Sequence, residues 1–174
     1  MKKPIALLGL PGCGKTFWGK ALADHLGIAF YDLDQLISRQ SGLSITEIFH
    51  EGGEALFRSI ETSTLYELSN NTLNENFILA LGGGTPAFND NMGLVNAKYT
   101  SIYLSKSIES ICDNLIKDTK NHRPLVRKTS RMDLTHYIEK LHLDRKISYE
   151  LAHYMLIDEE ISISNLEKII KDVK

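Results

Sequence analysis

A glycine-rich segment near the start of the chain carries a lysine and a hydroxyl at the spacing that holds nucleotide phosphates. Residues 9–16 read Gly-Leu-Pro-Gly-Cys-Gly-Lys-Thr and fit G-x-x-x-x-G-K-[ST], between a predicted strand and a predicted helix. Glycine lets backbone N–H groups converge on phosphate oxygens, Lys15 is expected to reach the β- and γ-phosphates, and Thr16 is expected to bind Mg²⁺. We therefore predict an ATP site rather than a plain glycine turn. It comprises Gly12, Cys13, Gly14, Lys15, Thr16 and Phe17.

Two aspartates, Asp32 and Asp34, follow the second apolar run at the carboxyl edge of the predicted sheet, where ligands bind in open α/β folds. One carboxylate there could hold Mg²⁺ through water, and a second could accept a hydrogen bond from an attacking hydroxyl. Since no acidic residue ends the third apolar run, we predict that Asp32 serves the metal and Asp34 the acceptor. The alternative is that the pair caps the following helix.

An arginine and a glycine run are candidates for binding the acceptor. Arg58 and Glu61 are three residues apart in a predicted helix, so Glu61 could fix the Arg58 guanidinium as a bidentate receptor for a carboxylate. A surface ion pair is the alternative. Gly82, Gly83 and Gly84 follow the third apolar run and would allow close backbone approach to a ligand, unless they form only a flexible turn.

The elements that must position these residues alternate between short apolar runs and stretches of helical periodicity. The runs are Ile5–Leu8, Ile28–Tyr31, Phe77–Leu81, Ile102–Leu104 and Met155–Ile157. This order predicts an α/β fold, a parallel sheet with helices on its faces. The first helix should span Lys15 to Leu26 and stop at Gly27, and capping boxes at Ser44 and Ser164 predict two further helix starts.

A local basic cluster follows the fourth run. Residues 117–131 contain Lys117, Lys120, Arg123, Arg127, Lys128 and Arg131. Positive charge on an element that closes over the phosphates would assist phosphoryl transfer, so we predict a mobile lid at about 117–131. The alternative is one solvated helical face that carries Arg123, Arg127 and Arg131. No linker or repeat divides the chain, so we predict a single domain over residues 1–174 with substrate-binding helices at about 33–62.

Composition narrows the class of protein. The net charge of −2 gives no basic footprint for a nucleic-acid partner. Cys13 and Cys112 lack metal-like spacing, and Gly9 interrupts the first apolar run before a signal peptide or membrane span could form. We expect a cytoplasmic monomer that contacts neither nucleic acid nor membrane.

The motifs resemble those of the shikimate kinase family: the phosphate loop, Asp-x-Asp, Phe-Arg-x-x-Glu and Gly-Gly-Gly occur in this order. Residues 122–125, His-Arg-Pro-Leu, resemble that family's lid, and residues 145–152, Arg-Lys-Ile-Ser-Tyr-Glu-Leu-Ala, resemble its Arg-x-x-x-Tyr-x-Glu-x-Ala helix. The likeness covers essentially the whole chain. Many relatives carry a further arginine on the helix before the lid, where this chain has Asn114, Lys117 and Lys120.

The resemblance implies a three-layer α/β/α fold with a five-stranded parallel sheet, of the P-loop nucleoside-monophosphate-kinase type. It implies that Asp34 binds substrate hydroxyls, that Arg58 and Arg145 bind the shikimate carboxylate, that Gly82 to Gly84 line the pocket, and that Arg123 reaches over the nucleotide. The expected reaction is transfer from ATP to the 3-hydroxyl of shikimate, with Lys15, Asp34 and Arg123 in catalytic roles. Two alternatives stay open: another small-metabolite or nucleoside monophosphate kinase, and a non-catalytic nucleotide-dependent module of the same fold.

Overall fold

Five parallel strands form the centre of the protein. The computed structural model describes residues 3–71, 76–118 and 130–172. The strands are β1 (Ile5–Leu8), β2 (Ala29–Asp32), β3 (Phe77–Ala80), β4 (Thr100–Ser105) and β5 (Tyr154–Ile157), in the spatial order β2-β3-β1-β4-β5. Every residue of β1 and β3 is buried because neighbouring strands and helices cover both. The predicted five-stranded parallel sheet is confirmed.

Seven α-helices of the described residues surround the sheet. They are α1 (Lys15–Leu26), α2 (Leu33–Ser41), α3 (Ile45–Asn71), α4 (Asn91–Lys98), α5 (Ile108–Lys117), α6 (Arg131–Glu150) and α7 (Ile163–Asp172), with short 3₁₀ turns at Thr85–Ala87 and Asp158–Glu160. The connection from β1 to β2 crosses the sheet in the direction opposite to the later connections. Right-handed crossovers therefore place α1 on one face, where it packs against α7, and α2 to α6 on the other, which gives three layers.

The same topology creates the crevice in which the candidate residues lie. β1 and β3 are neighbours, but the chain leaves their carboxyl ends in opposite directions. Loops that diverge in this way leave an opening at the carboxyl edge of a parallel sheet. The phosphate loop follows β1, Asp32 ends β2, and Gly82 to Gly84 follow β3, so all three sequence motifs meet at this edge.

Most predicted boundaries agree with the structure, and the differences have local causes. Helix α1 spans Lys15–Leu26, and Gly27 ends it in the left-handed conformation at φ 65°. Ser44 and Glu47 form the predicted capping box, with Glu47 N–H donating to Ser44 Oγ at 3.2 Å and Ser44 N–H donating to the Glu47 carboxylate at 2.7 Å.

The prediction that Ser164 caps the last helix is wrong by two residues. The helix begins at Ile163, and the Ser162 hydroxyl caps it by accepting a hydrogen bond from the Asn165 N–H at 3.2 Å. Asn165 in turn donates from Nδ2 to the Glu160 carbonyl at 2.8 Å. Ser162 therefore provides the cap by accepting the backbone N–H of the third helical residue, and Ser164 lies inside the first turn.

Candidate active site

The phosphate loop folds into a cradle that surrounds the Lys15 ammonium. Lys15 is only 9% exposed, and its Nζ donates to the carbonyls of Gly9 and Leu10 at 2.9 and 3.0 Å. Gly9, Gly12 and Gly14 have φ values of 141°, 86° and 98°, which only glycine adopts without strain. The loop therefore requires glycine at these positions, and it holds a positive charge at its centre.

The first turn of α1 completes this cradle. Gly14 precedes the helix in the left-handed conformation and has no side chain to cap it, so the N–H groups of Lys15, Thr16 and Phe17 point from an uncapped helix start. No acidic residue lies in that turn. Phe17 itself is 67% exposed, so its backbone rather than its ring is the plausible phosphate contact. The Cys13 side chain is fully buried, and its N–H donates to the Leu10 carbonyl at 3.2 Å inside the loop.

Helix α5 holds the outer side of the loop. Asn114 donates from Nδ2 to the Gly12 carbonyl at 2.9 Å. A Cβ on Gly12 would lie 2.7 Å from Leu115 Cγ and 3.2 Å from the Ile111 carbonyl oxygen, so the loop backbone lies directly on the helix. Asn114 stands where many relatives carry an arginine nearby, and its contact with Gly12 was not predicted from the sequence.

Thr16 and Asp32 supply two oxygen ligands at the loop. The Thr16 hydroxyl donates to Asp32 Oδ2 at 2.9 Å, and Asp32 Oδ1 accepts the Asp34 N–H at 3.2 Å. Asp32 is thus both the cap of α2 and the neighbour of Thr16, so the two interpretations of this residue are compatible. Mg²⁺ favours such oxygen ligands and often takes only one or two from protein, with phosphates and water completing its shell. The pair therefore fits a magnesium site.

Arg58 is held in a fixed orientation by two glutamates and two rings. Its Nη1 donates to Glu61 at 2.7 Å, and its Nε and Nη2 donate to Glu54 Oε1 at 3.2 and 3.1 Å. The guanidinium lies 5.0 Å from the centroid of the Phe57 ring and 4.1 Å from that of Phe88. With 11% exposure for the Arg58 side chain and none for Glu61, this is not a surface ion pair.

The glycine run brings the acceptor-binding candidates together. A Cβ on Gly82 would lie 3.1 Å from Asp34 Oδ1 and 2.9 Å from Glu61 Oε1, whereas one on Gly84 would collide with the Arg58 guanidinium, 2.8 Å from its Cζ. A Cβ on Gly83 would meet the Pro11 ring of the phosphate loop at 2.8 Å. A side chain at any of the three positions would displace a neighbouring group, so the run packs closely against the site and is more than a flexible turn.

Arg145 approaches the same run from α6. Tyr149 follows one helical turn later, close enough for the Arg145 charge to act on its hydroxyl, and that hydroxyl donates to the Gly83 carbonyl. Burial raises the pKa of Tyr149, although the positive charge of Arg145 acts in the opposite direction. Arg145 is half-buried. Glu150, which directly follows Tyr149, departs from the family spacing and forms an exposed pair with Lys146 at 3.6 Å.

The lid prediction lies mostly outside the described residues. Arg123, with residues 119–129 in general, is not among the positions that the structure describes. Lys117 ends α5, and Arg131 begins α6 after the extended cap Ser130. The alternative of one helical face that carries Arg123, Arg127 and Arg131 therefore also lies mostly outside the described residues. Arg131 itself pairs with Asp113 at 2.7 Å.

The described ranges hold neither a membrane-spanning helix nor a clustered metal site. Residues 3–71, 76–118 and 130–172 include no helix long and apolar enough to cross a membrane. The same ranges contain no cluster of three or more His, Cys, Asp or Glu side chains arranged for a metal.

Comparison with known proteins identifies relatives of this chain. The family model described as "Shikimate kinase" matches residues 11–174. The shikimate kinase of Azobacteroides pseudotrichonymphae is 35% identical over 162 residues, which cover 93% of this chain and 94% of that protein. The crystal structure of shikimate kinase from Bacteroides thetaiotaomicron superposes with a TM-score of 0.89 at 29% identity, covering 97% of this chain and 98% of that one. Shikimate kinase from Acinetobacter baumannii in complex with shikimate gives 0.83 at 30% identity, covering 99% and 93%.

Proposed function

The chain belongs to the shikimate kinase family, and we propose that it transfers the γ-phosphoryl group of ATP to the 3-hydroxyl of shikimate in the crevice between the phosphate loop and the glycine run. It is an ATP-dependent kinase. The observation that best supports the assignment of residues is the environment of Arg58, which is prepared for a carboxylate.

Arg58 retains the donors that such a substrate needs. A guanidinium has five N–H donors, and the hydrogen bonds to Glu54 and Glu61 use three of them. One N–H is left on each terminal nitrogen, which is the number that a carboxylate accepts from an arginine in a bidentate pair. Because the two glutamates and the rings fix the guanidinium plane, little side-chain entropy is lost when the acid binds.

A second cation is needed for charge balance. Arg58 has one positive charge, whereas the two glutamates that contact it carry two negative charges. An added carboxylate would meet net repulsion from this group, unless another cation approaches it. Arg145 lies next to Tyr149 at the other side of the glycine run and can provide that charge. We therefore assign the acid group of shikimate to Arg58 and Arg145 jointly.

On the donor side, the phosphate loop binds and orients ATP. The N–H groups at the start of α1 and the buried Lys15 ammonium neutralise the phosphate oxygens. Thr16 and Asp32 would hold Mg²⁺, which would neutralise negative charge on the β- and γ-phosphates. Arg123, outside the described residues, is proposed to reach the phosphates from the lid.

Asp34 is proposed to orient the attacking hydroxyl. Its carboxylate lies beside Gly82, between the phosphate loop and Arg58, so it can accept a hydrogen bond from an acceptor hydroxyl held there. Because the transition state of phosphoryl transfer is loose, alignment and charge stabilisation should contribute more than strong base catalysis.

A coupled ADP-release assay with ATP, Mg²⁺ and shikimate tests this function, with gluconate, adenylate and no acceptor as controls. We expect ADP release when shikimate is the acceptor, and none with gluconate, with adenylate or without an acceptor. Transfer to adenylate or gluconate would favour another small-molecule kinase, and ATP hydrolysis without dependence on shikimate would favour a regulatory module.

Asp34→Ala should lower kcat at least about hundredfold without unfolding the protein, and near-normal turnover would refute its role.

A further inference from the structure

Tyr149 joins the two parts of the acceptor site through one buried hydroxyl. The side chain is fully buried, and its ring lies 5.1 Å from that of Tyr103. The hydroxyl donates to the Gly83 carbonyl, 66 residues away in sequence, and lies near the Arg145 guanidinium, four residues earlier on α6. This single oxygen therefore binds the glycine run beside one of the arginines assigned to the carboxylate.

The Gly83 peptide needs such a partner. Glycine at three successive positions leaves the backbone free to rotate, whereas Gly82 must pass close to Asp34 and Gly84 close to Arg58, where a Cβ would not fit without displacing them. Thr85 helps at the end of this run, since its N–H donates to the Gly82 carbonyl at 3.2 Å. The Tyr149 hydroxyl fixes the orientation of the peptide between them.

The Tyr149 hydroxyl also lies beside Arg145. Side chains one helical turn apart are neighbours on a helix surface, and the Arg145 charge acts on the hydroxyl at this separation. The buried hydroxyl thus links the position of this guanidinium to the path of the glycine backbone.

From this arrangement, and resting on the proposed function, we propose that Tyr149 is a positioning residue for the acceptor. Its hydroxyl keeps the Gly83 carbonyl and the Arg145 guanidinium in a fixed relative position. The binding site for the shikimate carboxylate and the backbone pocket for its ring are then formed before the substrate arrives. The ATP site is held separately, by Asn114 on Gly12 and by the carbonyl contacts of Lys15. Loss of the hydroxyl should consequently affect shikimate and spare ATP.

Tyr149→Phe tests the proposal because it removes the hydroxyl and keeps the ring. We expect the KM for shikimate to rise about tenfold, from the loss of one buried hydrogen bond, while the KM for ATP changes less than about twofold. Tyr99→Phe is a matched control, since Tyr99 is equally buried and its hydroxyl contacts Ser69 at 3.0 Å, away from the site. It should lower the melting temperature comparably and leave both KM values unchanged.

A double-mutant cycle with Arg145→Lys separates positioning from general packing. If Tyr149 acts through Arg145, the two substitutions raise the KM for shikimate by less in combination than the product of their separate effects. Fully independent effects, or equal rises in both KM values with Tyr149→Phe, would overturn the proposal. If Tyr149→Phe folds poorly, the rise in melting temperature on adding shikimate still tests Arg145. The rise is compared between Arg145→Lys and the unmodified enzyme, and an equal rise in both would overturn the coupling of Arg145 to the acceptor.

Failure of this inference is distinct from failure of the proposed function. An unmodified enzyme that phosphorylates shikimate while Tyr149→Phe behaves like Tyr99→Phe rejects only the role of Tyr149. An unmodified enzyme that neither binds nor phosphorylates shikimate rejects the function on which that role depends.

Discussion

Glu61 and Glu54 contact the same arginine from very different environments. Glu61 is fully buried and accepts from both Arg58 and the Thr85 hydroxyl, the latter at 2.6 Å, whereas the Glu54 side chain is 55% exposed. A buried carboxylate whose oxygens are all paired is costly to alter, because its partners lose their charge balance. An exposed pair is screened by water and contributes little. The fixed position of Arg58 should therefore depend mainly on Glu61.

We predict that Glu61→Gln lowers the free energy of unfolding by about 3 kcal/mol, since it leaves the buried Arg58 charge without its closest partner. It should also raise the KM for shikimate at least about tenfold, because the guanidinium is no longer fixed. Urea unfolding and steady-state kinetics measure the two effects.

Glu54→Gln is the matched control, with an expected loss below about 1 kcal/mol. Equal losses for the two variants would contradict the account of Arg58, since burial would then not distinguish its partners.

At the scale of elements, α5 supports the phosphate loop from outside. Asn114 and Asp113 are neighbours on that helix but act on different parts of the protein: Asn114 binds Gly12 and Asp113 binds Arg131 at the start of α6. This division makes it possible to separate the support of the loop from the attachment of α6.

Asn114→Ala should raise the KM for ATP about fivefold, because the Gly12 carbonyl loses a hydrogen bond of roughly 1 kcal/mol and the loop becomes less ordered. The KM for shikimate should not change. Asp113→Asn, which alters only an exposed ion pair, should leave both values as they are, and a rise in the KM for ATP in that variant would argue against a specific role for Asn114.

The same elements explain how far sequence could predict the structure. Local sequence patterns predict the phosphate loop, α1 and the Ser44 cap, because each depends on residues close in sequence. Strand β4 was predicted to start at Ile102 but begins at Thr100, since Thr100 and Ser101 are polar yet buried. Their polar groups are satisfied by distant partners, for example Thr100 N–H by the Pro4 carbonyl at 2.8 Å.

Long-range contacts account for the parts of the site that the sequence did not predict. Asn114 lies 102 residues from Gly12, and Tyr149 lies 66 residues from Gly83. Neither contact leaves a local signature in spacing or periodicity, although Tyr149 stands one helical turn from the predicted Arg145. The kink of α3 at Gly53, with φ 64° and ψ −162°, was likewise not predicted, since a Gly-Gly pair alone does not define whether a helix ends or bends.

For the whole molecule, a polar cluster far from the active site connects β4, α4 and the start of β5. His153 accepts the Ser101 N–H on Nδ1 at 3.2 Å, which requires a neutral ring, and Ser101 Oγ donates to Asn96 at 2.6 Å. Burial and the nearby Lys3 charge lower the pKa of His153 below its ordinary value of 6.5. The folded protein therefore binds the proton less readily than the unfolded chain.

The stability of the protein should consequently fall as the pH drops below about 6.5, because the unfolded state then binds more protons at this site. This contribution is fully present above the unfolded pKa and is lost as the pH falls toward the lowered folded pKa. Urea unfolding at about pH 7.5 and about pH 5.5 measures the difference. His153→Gln should reduce the pH dependence, whereas the exposed His136→Gln should not, and identical slopes in all three proteins would contradict the role of His153.

The most direct test is whether substrate binding depends on the carboxylate of shikimate. Calorimetric titration should compare shikimate with its methyl ester, which keeps the ring and the hydroxyls but removes the negative charge. With Arg58 and Arg145 facing the carboxylate, we predict that the ester binds at least about a hundredfold more weakly, since two charge-assisted contacts are lost. Equal affinity for the two compounds would contradict the assignment of both arginines.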